Sequence, residues 1–495
     1  VEQTLPYSRN RPCRAAAVAR WDGEADVIVV GFGAAGACAA IEAARAGART
    51  LLVEAASAHG GTSALSGGEI YVGGSGGTLQ QRTAGFSDDT EDLYRYLMLA
   101  GGPDADADKV RLYADHSLAH FEWLQAQGLV YKNSFIAERI VEPFTDDCLI
   151  WSGSEQAWPF CEQAKPCPRG HTPQWEGLGG GKLLMDTLAA RVAELPVEVR
   201  YDTRAQALIN DDDGRVCGMV LRSAGVDRCA RAQRGVVLCA GGFVMNRDMI
   251  RQHAPQMARS NMPIGTVDDG SGIQLGQSVG GHAIHMSEGF VTLPWYPPEQ
   301  LIKGIFVNEQ GQRFVNEDGY HGRTAQHILQ QSGTRFWLLL DQDIYAEPAF
   351  SEFAKIGIGA AGETWDEVER DLELPAGSLT GTVAVYNRHA AEGRDPLFRK
   401  QPKWLKPLTQ PPFVALDCRI DHAVYFSFTL GGLDTRPSGE VLDASRRPIP
   451  GLYAAGRTAC GLPRWGAGYS SGMSLADATF FGRQAGLAAA SHAKG

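Results

Sequence analysis

Six residues near the start of the chain, Gly31-Phe32-Gly33-Ala34-Ala35-Gly36, have the types and spacing to cradle a diphosphate. Each glycine of such a hexad has its own task. The first makes a tight turn, the second lets backbone approach the pyrophosphate, and the third brings helix close to strand. The diphosphate then sits at a helix N-terminus, where free N–H groups and the helix dipole favour negative charge. Glu54 follows Gly33 by 21 residues, where a carboxylate can accept from a ribose hydroxyl. A second group of reactive side chains lies late in the chain, in Arg464-Trp465-Gly466-Ala467-Gly468-Tyr469-Ser470-Ser471-Gly472. Tyr469 and Ser471 are two apart, so on an extended segment they share a face. Gly466 and Gly468 favour that form over a helix. The ordinary alternatives are a packed loop tyrosine and a serine that caps the following helix.

The surrounding elements are those the hexad needs. Ala25–Val30 reads as a buried parallel strand, Ala37–Ala46 as a helix stopped by Gly47, and Arg49–Val53 as the next strand. Residues 88–128 are predicted mainly helical, residues 140–180 irregular and aromatic, and Lys182–Ala193 a helix. Val197–Ile209, Val216–Leu221 and Asp227–Ala240 read as an antiparallel excursion ending in a core strand at Gly241-Gly242. From about 250 to 405 proline, aromatics and polar residues rise, which suggests an inserted second domain. After about 410 the character of the nucleotide domain returns, and the chain ends in a helix over Leu475–Ala490. Gly60-Gly61-Thr62-Ser63 with Gly67-Gly68, and Ala455-Gly456 with Gly472-Met473-Ser474-Leu475, supply further backbone donors and favour FAD over NAD.

Composition narrows the class. Glycine is 59 of 495 residues, about 12% against a usual ~7%, and it clusters where backbone would meet a ligand. A net charge of −11 argues against a nucleic-acid binder. The ten cysteines form no CxxC pair, which suits reduced thiols and no metal site. No run approaches 18 apolar residues, and residues 1–24 read as an N-terminal arm without a signal-peptide core. A soluble cytoplasmic enzyme is expected. The pairs Asp146-Asp147 and Asp268-Asp269 are expected in solvated turns.

The hexad, Gly60-Gly61-Thr62-Ser63-Ala64-Leu65-Ser66-Gly67-Gly68, Val237-Leu238-Cys239-Ala240-Gly241-Gly242-Phe243, Asn308-Glu309-Gln310-Gly311-Gln312-Arg313-Phe314-Val315-Asn316-Glu317, Thr429-Leu430-Gly431-Gly432-Leu433 and Phe481-Gly482-Arg483 together resemble a known flavoprotein family. It is the family that holds the fumarate reductases and the 3-ketosteroid dehydrogenases, and the resemblance spans about residues 25–490. It implies an α/β fold: a Rossmann-like FAD domain of the glutathione-reductase type over 25–250 and 406–495, with an inserted α+β substrate-binding cap over 251–405. Substrate would lie between them. The cofactor contacts it implies are Gly31, Gly33, Ala35, Gly36, Glu54, Ala55, Gly61, Thr62, Ser63, Gly67, Gly68, Ala205, Gly241, Gly456, Gly472, Ser474 and Leu475.

Departures from the family pattern choose among its members. Fumarate reductases carry histidine just before the Thr-x-Gly-Gly segment, where this chain has Ser427-Phe428. They carry a late arginine where this chain has Tyr469. Burying a dicarboxylate without those groups costs several kcal/mol. Arg313 and Arg323 keep a reductase of unsaturated acids as one alternative, and a 3-ketosteroid Δ1-dehydrogenase is another. The Arg464–Gly472 segment resembles instead the 3-ketosteroid Δ4-(5α)-dehydrogenases. That likeness implies catalysis by Tyr469 on the carbon 3 ketone, by Ser471 on the carbon 4 proton, and by Tyr320 of the cap relaying that proton to solvent. Hydride from carbon 5 goes to FAD N5. The partners implied are a 3-keto-steroid and an electron acceptor, a quinone or an artificial dye, with no nucleic acid and no integral membrane segment. Candidate pocket aromatics are Phe144, Trp151, Phe290, Trp295, Tyr296, Tyr425, Phe428 and Trp465.

Overall fold

Gly23–Val30 is the central strand of a nine-stranded mixed sheet in the computed structural model, which describes residues 7–8 and 11–491. Its residues from Ala25 onward are all buried, as in a strand covered on both faces. Thr50–Val53 and then Val197–Arg200 lie parallel on one side of it. Val226–Leu238 lies on the other, with Pro448–Ala454 beyond.

Val226–Leu238 serves two layers. Its first half pairs antiparallel with Val216–Ser223, which pairs in turn with Arg204–Asn210. Past a register shift between Ala232 and Gly235 it joins the parallel sheet. The expected antiparallel excursion is therefore present, but Val197–Arg200 is outside it. Asp202, at φ +48°, turns the chain between that strand and Arg204–Asn210. Within residues 1–24, Cys13–Arg14 pairs with Ile209–Asn210 at the sheet edge, and Cys13 is buried. Arg9 lies outside the described residues.

Helix Ala34–Arg45 packs against the last helix, Met473–Ser491, along a seam of small residues. A Cβ on Gly482 would come within 2.4 Å of the Ala35 carbonyl oxygen, and one on Gly486 within 2.2 Å of that of Ala39. The two backbones touch there.

A second apolar core runs from Val291 to Tyr425. It surrounds a four-stranded antiparallel sheet of Ile305–Asn308, Phe336–Leu340, Phe413–Asp417 and Ile358–Gly362. Residues 251–285, grouped with the cap by composition, pack elsewhere: Met257, Ile273 and Leu275 join Ile28, Val236 and Leu452 of the first core. The cores thus divide near residues 290 and 425 rather than at 251 and 405. Within 140–180, Leu149–Ile150 and Gly170–His171 form a small sheet with Ile70–Tyr71. Among the described residues no helix is long and apolar enough to cross a membrane.

Candidate active site

One cleft of about 1620 Å³, open solvent at its mouth included, runs from the glycine hexad to the junction of the two cores. At the hexad the three glycines meet three different constraints. Gly31 has φ +100°, and a Cβ there would lie 2.4 Å from the Cys239 carbonyl oxygen. A Cβ on Gly36 would lie 1.8 Å from the Gly31 carbonyl oxygen. Gly33 lines the cleft, and its Cβ would meet nothing nearer than Ser63 Oγ at 3.5 Å. Turn, close packing and open approach are thus separated by position.

Glu54 is held rigidly at the cleft wall. Its Oε2 accepts from the Phe32 N–H at 2.7 Å and its Oε1 from the Ala56 N–H at 2.8 Å. A carboxylate has about four acceptor sites, so capacity remains for a ribose hydroxyl. Ser63 Oγ accepts from the Ala34 N–H at 3.2 Å and satisfies one donor of the helix start. Of the residues implied as cofactor contacts, Gly31, Gly33, Ala35, Glu54, Ala55, Gly61, Thr62, Ser63, Gly67, Ala205, Gly241, Gly456, Gly472, Ser474 and Leu475 line this cleft. Gly36 and Gly68 do not, because both are consumed in packing. Gly68 faces Gly180, whose carbonyl carbon a Cβ would meet at 2.4 Å.

Asp268 and Asp269 depart from expectation. Asp268 is 4% exposed, accepts from the Gly242 N–H at 3.0 Å and from the Thr62 hydroxyl, and pairs with Arg457 at 2.8 Å. Asp269 pairs with Arg204 at 2.9 Å. The Asp268 carboxylate closes the exit of the core strand, where Gly241 turns with φ +77°. Asp146 and Asp147 sit near the surface with Lys132.

At the other end of the same cleft stand Tyr320, Tyr469 and Ser471, with Phe290 and Phe428. Tyr320 is the N-cap residue of helix His321–Gln330 but makes no side-chain cap. A cap serine or asparagine there would add about 1 kcal/mol, so the position is used for something other than helix stability. The Tyr320 N–H is bound by Ser154 Oγ at 3.1 Å, and its side chain lies against Phe290, ring centroids 6.0 Å apart. Tyr469 follows the tight turn Gly466–Gly468, with extended backbone at φ −58° and ψ 141°. A Cβ on Gly466 would strike the Gly289 carbonyl oxygen at 2.2 Å, and one on Gly468 that of Ala100, also at 2.2 Å. Those glycines wedge the turn into place and so aim Tyr469. The Ser471 N–H donates to the Ser152 carbonyl at 2.8 Å before Gly472, at φ +85°, opens the last helix.

The Tyr469 hydroxyl donates to Ser474 Oγ at 3.0 Å. Burial pushes its pKa up to about 12, which leaves it a proton donor at any physiological pH. Burial likewise pushes Tyr320 well above the usual tyrosine value. The Ser471 side chain lies between Tyr320 and the carboxyl of Glu69 and lowers the pKa of both. Glu69 and Glu142 also line the cleft and were not foreseen from sequence. Burial raises Glu69 to about 8 and Glu142 to about 7. The only available signal was an acidic residue directly after Gly67-Gly68.

Arg204 and Arg457 line the cleft, and each is ion-paired. Arg313 is locked to Glu317 at 2.7 Å and Asp395 at 2.8 Å, and Arg323 donates to the Ala467 carbonyl at 3.0 Å. Of the eight candidate aromatics only Phe290 and Phe428 line the cleft. Trp295, Tyr296 and Tyr425 fill the second core, and Trp151 packs edge-on against Phe86. Phe144 lies against Phe350 at the surface, and Trp465 lies under Gly102.

A cleft with a backbone cradle at one end, a carboxylate on its wall and an apolar, hydroxyl-bearing far end fits FAD laid along it. The FAD binding domain family model matches residues 26–473. The chain is similar to a crystal structure of 3-ketosteroid-Δ4-(5α)-dehydrogenase from Rhodococcus jostii RHA1 in complex with 4-androstene-3,17-dione. They share 44% identity and a TM-score of 0.91, over 97% of this chain and 100% of that one. It is 28% identical to the 3-oxo-5-alpha-steroid 4-dehydrogenase of Comamonas testosteroni, over 88% of this chain and 93% of that protein. It is 27% identical to a probable fumarate reductase of Shewanella frigidimarina, over 94% of this chain and 75% of that protein. The chain belongs to the FAD binding domain family of flavoproteins and groups within it with the 3-ketosteroid Δ4-(5α)-dehydrogenases.

Proposed function

We propose that this chain oxidises 3-keto-5α-steroids to 4-ene-3-ketones. The observation that carries the reading is the joint presence of Tyr320, Tyr469 and Ser471 at one end of a single cleft, walled by Phe290 and Phe428. A steroid nucleus calls for an apolar site with few polar anchors. The cations lining the cleft are already paired, so a dicarboxylate would find no free partner among them. FAD, when bound, supplies the acceptor for the hydride that leaves carbon 5.

The chain's own residues handle the ketone and the proton. A ketone acidifies the hydrogens beside it because charge moves to its oxygen. Tyr469 donates a hydrogen bond to that oxygen, a contribution of roughly 3 kcal/mol as charge develops. It is released for the task when the Ser474 hydroxyl rotates from acceptor to donor toward the phenol oxygen. Ser471 takes the proton from carbon 4. Serine is a weak base alone and needs a group behind it to accept its own proton. Phe290 and Phe428 exclude water from the enolate. The electrons leave on an external quinone or dye. Anaerobic mixing of the FAD-loaded protein with 5α-androstane-3,17-dione should bleach the flavin absorbance and yield 4-androstene-3,17-dione. Absence of bleaching with every 3-keto-5α-steroid would overturn the assignment. A 1,4-diene product from a 4-ene-3-ketone would reassign the position of attack.

A further inference from the structure

Glu69 follows Gly67-Gly68 and turns into the cleft beside Ser471, where nothing in the proposed reaction uses it. It is 5% exposed, and its Oε1 has no hydrogen-bond partner. Room for it is made by glycine: a Cβ on Gly170 would lie 2.0 Å from Oε1, and one on Gly472 would lie 3.2 Å from its Cγ. The groups bearing on the carboxyl are the hydroxyls of Ser471 and Ser152 and the carboxyls of Glu142 and Glu155. Tyr320 and Tyr469 face it across the cleft. A buried carboxyl with an unfilled acceptor is costly to folding, and a leucine or glutamine would fit the space with less penalty.

We propose that Glu69 is the proton store of this site, taking the Ser471 hydroxyl proton as Ser471 takes the carbon 4 proton. This rests on the steroid reading of the same cleft. The C–H bond at carbon 4 breaks and its electron pair enters the enolate. The proton bonds to Ser471 oxygen, and the serine's former proton bonds to a Glu69 oxygen. The step needs no oxidant, and the hydride of carbon 5 is outside it. Because Glu69 acts through Ser471 it is a positioning residue in the reaction. Tyr320 also bears on the Ser471 hydroxyl, and burial holds it well above the usual tyrosine value. Glu142, also on the cleft wall and less deeply buried, offers the next acceptor toward solvent.

The test uses two readouts on the FAD-loaded protein. One is the rate of flavin bleaching by 5α-androstane-3,17-dione from about pH 6 to 10. The other is deuterium wash-in at carbon 4 in heavy water with the enzyme reduced beforehand, so that hydride transfer is blocked. Both should rise with pH through about 8 in the wild type. Glu69→Gln should lower both about 100-fold and abolish that limb with steroid affinity unchanged, whereas Tyr320→Phe should keep it. Glu69→Gln that keeps the limb, or loses less than about threefold, overturns the inference. If that variant does not fold, a wild-type wash-in rate flat across the range overturns it, and a displaced limb in Glu69→Asp supports it. Wild type that neither bleaches nor exchanges overturns the steroid reading itself. Normal wild-type turnover with an unchanged limb in Glu69→Gln overturns only the role of Glu69.

Discussion

The ring of Phe290 lies 4.3 Å from that of Tyr469, centroid to centroid, and 5.0 Å from that of Phe428. One side chain, buried in the same apolar core as Tyr320 and Tyr469, therefore forms part of the cleft wall and packs against Tyr469. Gly322 leaves room for it, since a Cβ there would lie 2.2 Å from the Phe290 ring. Gly322→Ala should push the ring into the cleft. Steroid KM should rise at least tenfold, with FAD content unchanged, in steady-state assays with a dye acceptor.

Tyr469→Phe replaces the phenol hydroxyl by hydrogen and leaves the packing against Phe290. Stopped-flow bleaching by substrate should slow about 100-fold, on the scale of a lost oxyanion donor. A loss below tenfold would mean that the ketone is held elsewhere. A silent variant without dye turnover would mark a flavin-binding protein that does no chemistry.

Two glycines of the hexad should fail in different ways. Gly36→Ala places a methyl 1.8 Å from the Gly31 carbonyl oxygen and should not yield folded protein. Gly33→Ala meets no protein atom nearer than 3.5 Å, so it should fold with native circular dichroism yet lose FAD on gel filtration.

Stability should fall on acidification because of histidines buried in the neutral form. His171 bonds Thr78 Oγ1 at 2.8 Å and the Arg169 carbonyl at 2.9 Å, and burial lowers its pKa to about 4. The unfolded imidazole titrates near 6.5, so between those values the unfolded state binds more protons. That contribution is present above about pH 6.5 and lost as pH falls toward 4. Thermal melts should show Tm dropping across this window, and His171→Gln should flatten the drop.

The positions of Gly31, Gly33, Gly36 and Glu54 were legible in the sequence because they are set locally, by a turn, a helix start and the end of the adjoining strand. The placement of Tyr469 and Ser471 on the cleft was legible through spacing and family likeness, and glycines frame that segment. Glu69 was not, since its meaning comes from burial and from a serine about 400 residues away. The pocket aromatics were not separable either. An aromatic side chain announces that it will be buried, but Trp295 against Phe306 and Phe290 against Tyr469 are alike in sequence. The buried Asp268 escaped because its partner, Arg457, lies on a segment returning much later.

Val226–Leu238 touches Gly23–Val30 on one side and Pro448–Ala454 on the other, and Met473–Ser491 covers the helix that begins at the hexad. During synthesis, then, the strand and helix of the cradle are made well before Pro448–Ala454 and Met473–Ser491, the segments that close it. Non-local closure of this kind is slow, and the nucleotide cradle is complete only once Pro448–Ala454 and Met473–Ser491 have docked.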